Sequence, residues 1–168
     1  PIAGNPPPRL WETEAGMMNS IGLQNIGVRA FIREKLPALA GAPCPVFANV
    51  FGYAIEDYVE VVRALEDAPG LAGYELNVSC PNTKHGGVQF GADPVLLAEV
   101  VGAARAVAKR PLLVKLSPNV ARIEPLAVAA PVFAKFPAKW ASTSCPNWKT
   151  KSRFVASLSL PVGSHSKL

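Results

Sequence analysis

Three short apolar-rich runs, PVFANV at 45–50, YELNVS at 74–79 and PLLVKL at 111–116, recur along the chain with longer segments between them. Such runs suit strands buried on both faces of a parallel sheet. After the first run, Ile55, Tyr58, Val59, Val62 and Leu65 recur at helical spacing, with Glu56 and Asp57 near the start, where the helix dipole favours acids. After the second run, Asp93 is placed to cap a helix with Pro94 at its first position; Leu97, Val100, Val101, Ala104 and Val107 supply the buried stripe. A further helix is expected to start within 120–130. Strands alternating with helices require an α/β fold of parallel βαβ units, as an open doubly wound sheet or as part of a barrel.

Length narrows the second option. At 168 residues the chain is shorter than the roughly 250 residues typical of a complete (β/α)₈ barrel. An apolar fraction of 49% argues for a folded protein. No run of about 18 apolar residues marks a membrane span. The opening Pro1-Ile2-Ala3-Gly4 has neither an initiator Met nor a leader pattern, and an upstream stretch is expected to be absent.

The net charge of +5 invites a nucleic-acid reading until its location is considered. Six of the 17 basic residues (Lys135, Lys139, Lys149, Lys151, Arg153 and Lys167) lie beyond 130, whereas all 12 acids lie at or before Glu124. The patterned part is therefore nearly neutral, with 11 basic residues, and its aromatics do not interleave with basic groups. Cys44, Cys80 and Cys145 form no metal-type pair and an odd count, which fits a reducing, cytoplasmic setting.

The chemistry is expected where the strands end. Asn49, the cluster Asn77, Ser79 and Cys80, and Lys115 sit at the C-terminal ends of three successive strands, the edge at which parallel α/β proteins bind ligands. Asn77 and Ser79 alternate and so share a side. A buried Asn77 amide needs a partner, from a ligand or from neighbouring backbone. Cys80, between a polar strand end and Pro81, is placed to act as a general base; Cys44 reads as a small hydrophobe. Lys115 reads as a cation set against an electron-rich cofactor or as a solvated strand end. His85, in a Gly-bearing loop spanning 80–92, reads as solvated. The segment NSIGLQNIG at 19–27 suits a loop bringing backbone close to a ligand, or an ordinary connection, and the prolines of 4–9 hold an extended surface loop. No G-x-G-x-x-G follows a strand and no Walker sequence occurs, so a nicotinamide-binding Rossmann unit is unsupported.

The blocks GNPPPRLWETEAGMMNSIGLQNIGV (4–28), ELNVSCPNTKHGG (75–87) and LLVKLSPNV (112–120) resemble class 1 dihydroorotate dehydrogenases over about residues 3–130, and the KHGG continuation is most similar to the NAD-linked class 1B catalytic subunit. That resemblance implies a parallel (β/α)₈ TIM barrel, here partial, that oxidises (S)-dihydroorotate to orotate in pyrimidine synthesis. Cys80 matches the base that takes the C5 proton while hydride leaves C6 for FMN. Asn19, Ser20, Ile21, Gly22 and Leu23 match the substrate loop, with Asn77 and Asn82 as amides on the pyrimidine. Asn49, Asn77 and Lys115 match FMN contacts. A partner subunit carrying FAD and a 2Fe–2S cluster is implied for class 1B, in a heterotetramer, with a homodimer as the other assembly.

The resemblance also implies that the family's first strand region, with its substrate-contacting lysine, and its later glycine-rich FMN phosphate loops are absent. Residues 131–168 hold two tryptophans and no acid, follow no period, and read as a basic tail of frameshifted translation. The competing reading is an inactive truncated remnant binding neither flavin nor substrate.

Overall fold

The computed structural model describes residues 1–78, 87–117 and 120–130. A hairpin leads, β1 (Leu10–Thr13) pairing antiparallel with β2 (Gly16–Asn19). A helical stretch follows as α1 (Val28–Ala30), a π-helical turn (Phe31–Lys35) and α2 (Leu36–Leu39). Then come β3 (Phe47–Val50), α3 (Ile55–Glu66), β4 (Gly73–Asn77), α4 (Gly87–Ala92), α5 (Pro94–Val107), β5 (Leu112–Lys115) and α6 (Glu124–Ala129).

The three expected runs become one parallel sheet in the order β3-β4-β5. Register assigns its two faces opposite roles. Ala48 lies beside Tyr74 and Leu112, and Val50 beside Leu76 and Val114. That face carries the core, packed with Tyr58, Val61, Val62 and Leu65 of α3 and Leu97, Val100, Val101 and Ala104 of α5. Each such buried Val or Leu contributes about 1.5–3 kcal/mol by leaving water. The other face carries Asn49 beside Glu75 and Leu113, and Asn77 beside Lys115.

Local chemistry sets the helix ends. Asp93 Oδ1 accepts from the N–H groups of Val95 (2.8 Å) and Leu96 (3.3 Å), the expected cap of α5. In α3, whose N-cap Ala54 has no polar side chain, Asp57 reaches back to accept from the N–H groups of Tyr53 (2.8 Å) and Ala54 (3.0 Å). At the far end of α3 the Arg110 guanidinium donates to the carbonyls of Leu65, Glu66 and Ala68, at 3.3, 2.9 and 2.7 Å. This ties the C-terminus of α3 to the entry of β5. Gly73 permits close packing at the start of β4: a Cβ there would stand 2.4 Å from the Pro111 carbonyl oxygen and 2.7 Å from the Phe47 ring.

Two expectations are corrected. The segment expected to be loop as far as residue 92 contains α4, because Phe90 packs edge-to-face on Tyr58 at 6.0 Å and anchors the turn to α3. The hairpin and the helical stretch 28–39 were not expected; the latter buries Phe31 and Leu36. Residues 131–168, expected as an unpatterned tail, lie outside the described residues.

Candidate functional site at the C-terminal edge of the sheet

β3, β4 and β5 end side by side, and their terminal polar residues meet on the face opposite the helices. Asn49 and Asn77 are 1% and 3% exposed, two amides buried where apolar groups would be cheapest. Each is partnered. Asn49 Nδ2 donates to Glu75 Oε1 (2.7 Å), Asn77 Nδ2 donates to Asn49 Oδ1 (3.4 Å), and Lys115 Nζ donates to Asn77 Oδ1 (3.4 Å). Tyr58 of α3 donates its hydroxyl to the Asn77 carbonyl at 3.0 Å, fixing the end of β4 from the helical side. Three of the sequence-predicted residues, Asn49, Asn77 and Lys115, are thus brought together. Lys115 is exposed, as the solvated-strand-end reading has it, and also hydrogen-bonded to the amide pair. Two participants were missed. The only sequence signal for Glu75 is its i, i+2 relation to Asn77, and Tyr58 falls within the apolar stripe of α3.

The second predicted group, Asn19 to Leu23, forms the end of β2 and the loop that follows. Two of its carbonyls are turned toward Asn5 and a third toward Asn25. The Asn5 N–H donates to Ile21 O (3.0 Å), Asn5 Nδ2 to Ser20 O (2.6 Å), and Asn25 Nδ2 to Leu23 O (2.8 Å). Ser20 N–H donates to Arg9 O at 2.9 Å. Gly22 adopts φ 73°, and Leu23 adopts φ 58°, a left-handed conformation costly for a side-chain-bearing residue. Asn5, Arg9 and Asn25 therefore shape this loop: Asn25 lies within the segment 19–27 that the sequence marks as a loop, and Asn5 and Arg9 lie in the proline-bearing segment 4–9. The side chains of Asn19 and Ser20 stay exposed. A shallow depression beside the hairpin is lined by Arg9, Trp11, Met18, Asn19 and Ser20. Cys80 and Asn82, with Ser79 and His85, lie outside the described residues.

This polar face lies at the carboxyl edge of a parallel sheet, where α/β proteins bind ligands. A family model described as dihydroorotate dehydrogenase matches residues 1–141. The chain belongs to the dihydroorotate dehydrogenase family. Among curated relatives, a protein of Solibacter usitatus, provisionally named a dihydroorotate dehydrogenase A (fumarate), is 75% identical over 130 residues, which are 77% of this chain and 43% of that protein. A protein of Pelobacter propionicus named dihydroorotate dehydrogenase B (NAD(+)), catalytic subunit, is 50% identical over 129 residues, 77% of this chain and 42% of the relative. One of Geotalea daltonii with the same name is 51% identical over 129 residues, with the same coverage. The chain thus spans 42–43% of the length of these relatives. The chain itself displays a mixed α/β architecture with a parallel three-stranded sheet. No helix among its described residues is long and apolar enough to cross a membrane.

Proposed function

We propose that this chain carries the flavin-facing edge of a dihydroorotate oxidase: a partial (β/α)₈ barrel that binds FMN and oxidises (S)-dihydroorotate to orotate in pyrimidine synthesis, in the cytoplasm. The observation that carries the reading is the buried pair Asn49 and Asn77, linked to Lys115 on the polar sheet face. Buried amides on a strand face fit a ring bearing carbonyl and imide groups, which exchanges hydrogen bonds with both ends of an amide. FMN, when bound, supplies the acceptor for the hydride leaving C6 of the substrate.

The chain's own residues do the rest in this reading. Asn77 and Asn49 orient the flavin ring, and Lys115 holds positive charge beside it, favouring the electron-rich form. Asn19 to Leu23, with Asn77 and Asn82, hold the pyrimidine. The hydrogen bonds that already hold Asn77 and the carbonyls of Ser20, Ile21 and Leu23 lower the entropy lost on binding. Cys80 takes the C5 proton as general base.

Two electron acceptors follow from the relatives. One, given in the name of the Pelobacter propionicus relative, is NAD⁺, and in this reading it is reached through a partner subunit carrying FAD and a 2Fe–2S cluster; the other, given in the name of the 75%-identical relative, is fumarate, and the assembly is a heterotetramer or a homodimer. Stopped-flow reoxidation of the reduced flavin by fumarate or by the partner subunit separates them. The reading of residues 131–168 as frameshifted translation stands against a family match that runs to residue 141, and the coding nucleotide sequence decides it.

The test is flavin absorbance of the purified chain after incubation with FMN, desalting and anaerobic addition of dihydroorotate. Retained flavin that bleaches in the parent, but not in Cys80→Ser at neutral pH, is expected. Failure to retain flavin would favour the competing reading of an inactive remnant.

A further inference from the structure

The polar face holds an acid that none of the site assignments uses. Glu75 lies beside Asn49 across the β3–β4 ladder and two residues before Asn77 on β4, on the same side of the strand. It accepts from Asn49 Nδ2, the first link of the chain Glu75, Asn49, Asn77, Lys115.

The chemistry of the two ends dictates the direction of the whole chain. A carboxylate only accepts hydrogen bonds and an ammonium only donates them, whereas each amide between them does both and can be turned either way. Glu75 at one end requires Asn49 to present its Nδ2. Asn49 must then offer Oδ1 to Asn77, and Asn77 offers its own Oδ1 to Lys115. Lys115 independently requires that last orientation. Of the four combinations available to two amides, one satisfies all three links.

We propose that Glu75 is a positioning residue: it sets the orientation of Asn49 and, through Asn49, that of Asn77, and so fixes which atoms the two amides present to a flavin-like ring. The proposal rests on the reading of this face as the flavin site. Glu75 acts through Asn49 and touches no reacting atom in it. The acid also balances the charge of Lys115, so that the cation at the mouth is held by a polarised chain rather than by a direct ion pair. The sequence pattern agrees: Glu75 stands between Tyr74 and Leu76, both fully buried on the opposite face, and a strand buried on both faces has no need of a carboxylate unless that carboxylate has a partner.

The test uses the full 168-residue chain with Glu75→Leu and Glu75→Gln. Gln is nearly isosteric and keeps an acceptor oxygen, so it guards against a simple folding failure. Two readouts are taken: the side-chain amide ¹H–¹⁵N signals of Asn49 and Asn77, with the backbone amides of α5 as a control for global change, and FMN affinity from quenching of flavin fluorescence. In Glu75→Leu both Asn side-chain signals are expected to shift or double while the α5 backbone is unchanged, and FMN binding is expected to weaken by about tenfold. Glu75→Gln is expected to recover most of both effects. Asn77 signals unchanged in Glu75→Leu would overturn the coupling of the two amides. Unchanged FMN affinity with both amides displaced would overturn the positioning role. Absence of FMN binding by the parent chain would instead sink the flavin reading, and the amide signals would still decide whether Glu75 orients the pair.

Discussion

Replacing Arg110 by Ala should unfold this chain more readily than any surface substitution of comparable size. The Arg110 guanidinium is half-buried and reaches three carbonyls, those of Leu65, Glu66 and Ala68, within 3.3 Å. These belong to the last turn of α3 and the residues just after it, where intrahelical partners run out and the dipole is negative. A hydrogen bond to a charged donor is worth roughly 1.5–3 kcal/mol, but three bonds to one side chain do not add and part of the group is in water, so the loss is about 3 kcal/mol. For a domain of 5–15 kcal/mol total stability that is a large share. With a urea dependence of about 1–3 kcal/mol per molar, the midpoint should fall by about 1–3 M. Far-UV circular dichroism during urea titration reads this directly. Arg110→Lys should recover only about a third, since an ammonium is a single point where the guanidinium is a fork. A loss below about 0.5 kcal/mol for Arg110→Ala, the size of an ordinary surface effect, would refute the idea that this residue clamps α3 to β5.

Three further outcomes follow from single contacts. Burial is the main reason the Tyr74 hydroxyl titrates above its ordinary range; the Arg110 cation opposes that shift and Glu66, which accepts its proton at 3.0 Å, adds to it. A raised folded-state value means stability that is whole below the unfolded pKa of about 10 and is lost as pH climbs from there toward the folded value, so denaturation profiles should steepen above about pH 10 and flatten there in Tyr74→Phe. Gly73→Ala should cost about 1–3 kcal/mol in chemical denaturation, because the new Cβ meets a backbone carbonyl at 2.4 Å and the Phe47 ring at 2.7 Å. Asp93→Ala should cost about 1 kcal/mol by the same assay and fray the first turn of α5 in amide hydrogen exchange, since it removes the acceptor for Val95 and Leu96 N–H.

The parallel sheet was legible because each strand is covered by helices and reads as a short apolar run, and the stripes of α3 and α5 were legible because burial on one side leaves a period of 3.6. The hairpin left no such trace: all of its residues are exposed, so nothing obliges its sequence to alternate. The stretch 28–39 does carry a stripe in Val28, Phe31, Ile32, Leu36 and Leu39, but Pro37 and the wider π turn blur it. At the site, Asn49, Asn77 and Lys115 were visible as polar residues at strand ends. Glu75 escaped because one acid in a strand looks like a solvated edge until the register places it beside Asn49. Arg110 escaped because its partners are main-chain carbonyls more than 40 positions away, which side-chain pattern cannot encode.

The central claim is that the face built by Asn49, Asn77 and Lys115 holds the flavin, and equilibrium titration of FMN against the parent chain and Asn77→Leu, followed by flavin fluorescence, tests it most directly. Quenching by the parent that is lost in an Asn77→Leu chain of unchanged circular dichroism is the predicted result. An Asn77→Leu chain that quenches FMN as well as the parent would contradict it.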